Sequence, residues 1–229
     1  MRIYNSNAGS ETRIAYGTET IVGLRQFDET APLAASFEPV NARLQTTFTA
    51  RKDAERAQLQ ARVQVRFADW KFDQEARAAF RAAQTADGGK TGKITRALFP
   101  DGLNTVVIPS GPSQHAASVQ LINRAKACTT SGAEKVLGEH LPSIEKASGD
   151  LKLALDERDR LAAARAVAFT AEEVARDDHE AAIDKLMGEV RALYPRDRKR
   201  WDLIFPTLPS RRARRDDDDE PTPEPSDVD

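Results

Sequence analysis

The sequence predicts a mainly α protein: an elongated antiparallel helical bundle or coiled coil, with a small extended element near one end and a disordered acidic C-terminal tail. Three observations carry that expectation. Residues 40–87 and 150–187 contain neither Gly nor Pro, the two residues that most disfavour helix interiors. Charged residues make up 31% of the chain, and 34 Lys and Arg nearly balance 36 Asp and Glu, a profile of long helices with solvated faces. The 40% hydrophobic content includes only nine Phe, three Tyr and two Trp, so alanine supplies much of it and helices are expected to meet at close range through small side chains.

Residues 1–35 read as an extended arm. Ile14, Tyr16, Thr18, Thr20 and Val22 alternate at a strand period, and Gly9, Gly17, Gly23 and Pro32 interrupt. A helical bundle is expected over 36–206. Its first long helix spans about 37–87, with Ser36 placed to accept hydrogen bonds from the first-turn amides. Phe37, Leu44, Phe48, Leu59, Val63, Phe67, Trp70 and Phe80 fall mostly at three- and four-residue steps and read as its apolar stripe. Arg51, Lys52, Asp53, Glu55 and Arg56 interrupt that stripe, so the middle of the helix is expected to be solvated or paired with another charged helix.

Asp87-Gly88-Gly89-Lys90-Thr91-Gly92 is a turn. Its Gly-Lys-Thr follows a helix rather than a strand and lacks the upstream glycine of a phosphate-binding loop, which argues against nucleotide binding. Residues 103–109, with Thr105-Val106-Val107-Ile108, read as a short extended linker that pairs with the N-terminal arm. A second helical region is expected over 112–140 with a break near 130, where Ser131 and Glu134 have capping-box spacing.

The last long helix is expected over about 143–193. Leu151, Leu155, Ala162, Phe169, Ile183, Leu186, Val190 and Leu193 recur at roughly heptad intervals, with Arg158, Arg165 and Arg176 at or beside the seam. Thr170 and Glu173 form a second capping-box spacing that would divide this helix, but the apolar period carries across it and favours one continuous element. The tail, 207–229, holds four arginines, eight acids and three prolines from Arg211 onward and has the composition of a disordered segment.

The chain carries one recurrence: Arg96-Ala97-Leu98-Phe99-Pro100 and Arg191-Ala192-Leu193-Tyr194-Pro195, each expected to close a long helical stretch with an aromatic residue and a proline. Leu98, Phe99, Leu193 and Tyr194 are therefore expected as paired end-plugs. With the apolar run Trp201, Leu203, Ile204 and Phe205 they are the candidate partner-binding residues.

Catalytic chemistry has no visible carrier. Cys128 stands alone, no strained serine turn appears, and His115, His140 and His179 lack a glutamate three residues upstream. No catalytic, cofactor-binding or metal-ligating residue is therefore assigned, and no cofactor is expected. The expected function is non-enzymatic: a structural, scaffold or assembly protein that self-associates or binds another protein through its helices.

The first alternative is a nucleic-acid-associated protein using Arg196, Arg198, Lys199 and Arg200 on phosphates with Trp201 stacked on a base. The acids at 216–219 compete for those cations and count against it. The second alternative is a metal-binding helical bundle using Glu173, Asp177, Glu180 and Asp184, which share one helix face near His179. No apolar run of membrane-spanning or signal-peptide length is present, so a cytoplasmic protein without a membrane partner is expected.

Overall fold

The computed structural model describes residue 4 and residues 7–206. Helices occupy 82% of them, and no strand occurs among the described residues. In chain order they are α1 (Ser10–Leu24), α2 (Ala31–Ala86), α3 (Lys93–Leu98), α4 (Asn104–Val107), α5 (Pro112–Ala127), α6 (Ala133–Leu193) and α7 (Arg198–Ile204). The described residues form two compact units, one from those up to residue 50 and from 169 to 206, the other from 51–168, so α2 and α6 each supply a segment to both. The acidic tail expected over 207–229 lies outside the described residues.

The first unit holds α1, the start of α2, the end of α6, and α7. The extended arm expected over 1–35 is not seen: α1 is helical, and it buries Arg13, Tyr16, Gly17, Thr20, Ile21 and Leu24. That is a three- and four-residue period, hidden in the sequence because a charged residue and a glycine occupy two of its positions. Glycine is required on this face. A Cβ at Gly23 would stand 2.7 Å from the Ile204 carbonyl oxygen of α7, and one at Gly17 would stand 2.3 Å from Asn41 Oδ1. Both contacts are closer than any side chain tolerates.

Helix α2 starts at Ala31 rather than at Ser36. The Thr30 carbonyl accepts the Ala34 amide, and Pro32 falls within the first turn, where its fixed φ suits a helix and its missing N–H costs nothing. Ser36 then lies inside the helix and bonds back to the Leu33 carbonyl at 2.8 Å. Pro39 removes one ladder bond, and burial of Ala34, Phe37 and Leu44 on either side holds the helix across it. Ion pairing and hydrogen bonding set 29–43 against 178–194 in opposite senses: Tyr194 to Glu29 at 3.1 Å, His179 to Asn41 at 3.1 Å and Arg43 to Asp178 at 2.7 Å.

The second unit packs the rest of α2 against α3, α4, α5 and the first half of α6. Its core face on α2 is Ala61, Val65, Ala68, Phe72, Ala76, Ala79 and Ala83, steps of four and three residues dominated by alanine. Val65 and Ala68 meet Leu151 and Leu155 of α6. Phe72 to Ala83 join Leu98, Phe99, Val106, Leu121, Ala125, Val136 and Ile144 in one cluster. The charged middle of α2 does pair across helices, since Glu55 accepts from Arg51 at 2.6 Å and lies 3.7 Å from Arg165 of α6.

The linker expected to be extended over 103–109 contains α4 instead. Val106 and Val107 are drawn into the core, and a single helical turn places both on it whereas a strand would turn one away. The loop before α3 has a capping role. Asp87 accepts the amides of Gly92 (3.1 Å), Ile94 (3.1 Å) and Thr95 (2.8 Å) as well as the Thr95 hydroxyl, and these bonds hold its carboxyl below the usual range.

Helix α6 runs unbroken past Thr170 and also through Pro142. The two pentapeptides share a local role, closing α3 at Leu98 and α6 at Leu193. In each, the aromatic amide bonds the carbonyl four residues back, Phe99 to Thr95 at 2.8 Å and Tyr194 to Val190 at 3.0 Å. The first closes the six-residue α3 and not the long α2, which ends at Ala86.

The alanine face yields a paired expectation for chemical denaturation. Ala76→Leu overfills a fully buried site and should lower stability by about 1–3 kcal/mol. Phe67→Ala, on an exposed position of the same helix, should change it by no more than about 0.5 kcal/mol. A large loss for Phe67→Ala would mean that α2 is rotated from the face described.

Candidate functional site

Opposite the alanine face, α2 carries a second apolar stripe. Leu59, Val63, Phe67 and Trp70 follow at steps of four, four and three residues, half a helical turn from Ala61, Val65, Ala68 and Phe72. Leu59, Phe67 and Trp70 remain 59%, 58% and 57% exposed. Val63, Arg66, Phe67 and Trp70 enclose an open depression of about 470 Å³ whose wall is mostly apolar. Leaving such side chains in water forgoes about 1.5–3 kcal/mol for each one that a partner would fully bury.

Positive charge predominates around this stripe, although Arg56 pairs with Asp53 at 3.4 Å. Arg56, Arg66, Lys71, Arg77 and Arg81 fall on or beside it and are all exposed. The carboxylates of the same segment are turned to the flanks and the core side. Asp69 accepts from the Gly111 amide at 3.3 Å and Asp73 from the Gln114 amide nitrogen, both at the start of α5. Burial at that contact raises both carboxyls above the usual range. Among the described residues, neither Arg66 nor Lys71 has a carboxylate within ion-pair distance.

The first unit contains a buried polar network. Tyr4 Oη stands 2.9 Å from His179 Nδ1, and His179 Nε2 stands 3.1 Å from Asn41 Oδ1. The Asn41 amide donates to the Thr18 hydroxyl, which donates to the Ile14 carbonyl. These partners assign the neutral imidazole with its proton on Nε2. Beside it, buried Arg13 pairs with Glu180 at 2.9 Å and donates to the Ala8 and Arg176 carbonyls. Glu172, also buried, accepts from Ser10 and from Arg176 at 2.9 Å. Every charge here is met by an opposite charge or a fixed dipole, the condition under which buried ions are tolerated.

The candidate partner-binding residues separate between the units. Leu98 and Phe99 lie in the core of the second, and Tyr194, Ile204 and Phe205 in the core of the first. Trp201 packs against that first core and donates its indole N–H to the Tyr194 carbonyl at 3.1 Å. Leu193 and Leu203 face solvent.

Of the cationic set, the Arg200 guanidinium covers the Tyr194 ring at 4.6 Å and the Phe27 ring at 5.4 Å. Arg198 lies 3.8 Å from Asp202, Lys199 is exposed, and Arg196 adopts a left-handed φ of 71° just after Pro195. On the acidic face of α6, Glu180 is held by Arg13, and His179 points into the core rather than beside Glu173 and Asp177. No three metal-ligating side chains converge among the described residues.

The sequence periodicity shows Leu59, Val63, Phe67 and Trp70 as part of one apolar stripe but does not tell that the structure leaves Leu59, Phe67 and Trp70 exposed. The signal that distinguishes the two faces is the excess of Arg and Lys beside the larger residues, together with the alanine repeat on the opposite side. Comparison of the chain with protein families, curated proteins and solved structures finds no match.

The network makes stability depend on pH. Burial, and secondarily the Arg13 charge, lower the His179 pKa from 6.5 to about 4. The unfolded chain thus takes up a proton below pH 6.5 that the folded chain refuses until about pH 4, so stability is retained above this window and lost as pH falls through it. Unfolding free energy should drop by about 2 kcal/mol between pH 7 and pH 5. His179→Gln should flatten that slope, and an unchanged slope in the variant would remove His179 as its source.

Proposed function

We propose that the protein is a non-enzymatic scaffold or assembly protein that acts through helix-mediated association, with the outer face of α2 as its contact surface. The observation that carries this reading is the exposure of Leu59, Phe67 and Trp70 in one row on a helix whose opposite face already fills the core. Single exposed apolar residues are ordinary, but a contiguous row with two aromatic rings is the composition of a protein contact. The helix is held from behind by its alanine face, so the row is presented on a rigid element and little ordering cost attends binding.

Leu193 and Leu203 are exposed near the end of the described chain and offer a lesser apolar surface in the first unit. Their neighbours Tyr194, Ile204 and Phe205 are committed to the core there, which leaves less for a partner to bury.

A photo-reactive phenylalanine analogue placed at position 67 of the full chain tests the reading in cells. It should give a discrete protein adduct identifiable by mass spectrometry, while the same group at the exposed position 185 should not. Absence of any adduct at 59, 67 and 70 would overturn the assignment of this face.

A further inference from the structure

We infer that the occupant of the α2 stripe is an acidic amphipathic helix of another protein, lying along α2 with apolar anchors on Leu59, Val63, Phe67 and Trp70 and carboxylates on the flanking cations. The inference rests on the contact-surface reading above and specifies the partner's chemistry.

Shape argues for a helix. The stripe follows the helix axis at three- and four-residue steps, the row that a second helix meets with its own ridges. From Leu59 to Arg77 the face is about 27 Å long at 1.5 Å per residue, room for about five turns of a partner. The depression between Val63, Arg66, Phe67 and Trp70 is apolar on its floor and bordered by a guanidinium, which suits one large apolar anchor with an acid next to it.

Charge decides the partner's sign. Arg66, Lys71, Arg77 and Arg81 border the row along with Arg56, which reaches back to Asp53 at 3.4 Å; Asp69 and Asp73 are bonded at the start of α5, Asp73 also feels the charge of Arg77, and Arg66 and Lys71 keep no ion-pair partner among the described residues. A second copy of this chain would bring the same cations and repel. The outward face of α6 in the same unit is no better a match, since Asp156 is already paired with Lys152 and Glu157 with Arg160. Single-stranded nucleic acid also carries negative charge, and Phe67 and Trp70 offer rings for stacking. Leu59 and Val63, half of the row, have nothing to give a base, whereas an amphipathic helix buries all four.

The test uses two fluorescent synthetic helical peptides of about five turns, identical in their leucine row, one flanked by glutamates and the other by lysines. They are titrated against the full chain by anisotropy, beside a labelled oligothymidine. The acidic peptide should bind at least about tenfold more tightly than the basic one and weaken as salt rises. Trp70→Ala, an exposed change that leaves the circular dichroism spectrum intact, should weaken it at least about tenfold. Arg66→Glu with Lys71→Glu should reverse the preference toward the lysine-flanked peptide.

Equal affinity for both peptides, no binding of either, or indifference to Trp70→Ala would overturn the inference. So would tighter binding of the oligothymidine, which would assign the face to nucleic acid, or a dimer by sedimentation that Trp70→Ala dissolves, which would assign it to a second copy. If position 67 still cross-links to a protein in any of these cases, the contact-surface reading stands and only the acidic partner is lost. Absence of the cross-link removes both.

Discussion

The alanine seam of α2 constrains everything built on it in the second unit. Ala61, Ala68, Ala76, Ala79 and Ala83 are buried with Val65 and Phe72 along one line of the helix. An alanine brings one methyl to the contact, worth about 0.8 kcal/mol of burial, but it loses no rotamer entropy and lets a neighbouring backbone approach. The seam therefore works through close apposition, and the larger contributions come from neighbours: Phe72, Leu98, Phe99, Leu121 and Ile144 fill the space between α2, α3, α5 and α6. The short elements follow from it too. Six-residue α3 and one-turn α4 are too short to persist alone. They are held by Asp87 at the start of α3, by Arg124 on the Leu98 carbonyl at 3.0 Å, and by the valines of α4 in the core.

The first unit is organised differently. Its helices are locked by polar groups as much as by apolar ones, with His179, Glu172, Arg13 and Asn41 all buried. A buried ion that loses its partner costs more than the pair contributes, so such a network stabilises one arrangement chiefly by penalising the others. Gly17 belongs to the same logic, since the space a Cβ would need is taken by Asn41 and His179. Tyr4 shows how far the network reaches. It joins the core from ahead of α1 through its hydroxyl on His179 and its ring edge-on to Tyr16 at 5.2 Å, and burial pushes its phenol up to about 12.

Much of the helical framework was legible in the sequence, and the losses have identifiable causes. The long runs without Gly or Pro are helical, the Thr170 capping box did not divide α6, and the second pentapeptide does end a long helix, at Leu193. Helix α1 was illegible because its buried face includes Arg13, Gly17 and Thr20, none of which registers as apolar, while exposed Val22 gave the false alternation. The start of α2 was placed late because Pro32 was read as an interruption, and the last long helix was expected only from about 143, whereas α6 begins at Ala133. A proline in a first turn is compatible with a helix, and Pro142 lies inside α6, where the Ser143 hydroxyl bonds the His140 carbonyl at 3.0 Å. Leu98, Phe99, Ile204 and Phe205 pack in the cores of their own units; in sequence, an apolar cluster beside a helix end reads equally as such a plug and as a docking peptide.

The face of α2 is the more instructive case, because both of its faces satisfy the periodicity of a buried helix. Summing hydrophobicity favours Leu59, Val63, Phe67 and Trp70 over a row of alanines, so the larger residues look like the core. The charges break the tie. A core-facing stripe is flanked by residues that meet the surface of the same fold, where both signs find partners, as Glu55 does with Arg51 and Arg165. Beside the outer stripe cations predominate from Arg56 to Arg81: Arg56 reaches back to Asp53, Asp69 and Asp73 are drawn off toward α5, and Arg66 and Lys71 keep no ion-pair partner among the described residues. An excess of positive charge beside an apolar row leaves an electrostatic demand that the folded chain meets only in part along that face, and an acidic helix would meet the rest together with the apolar one.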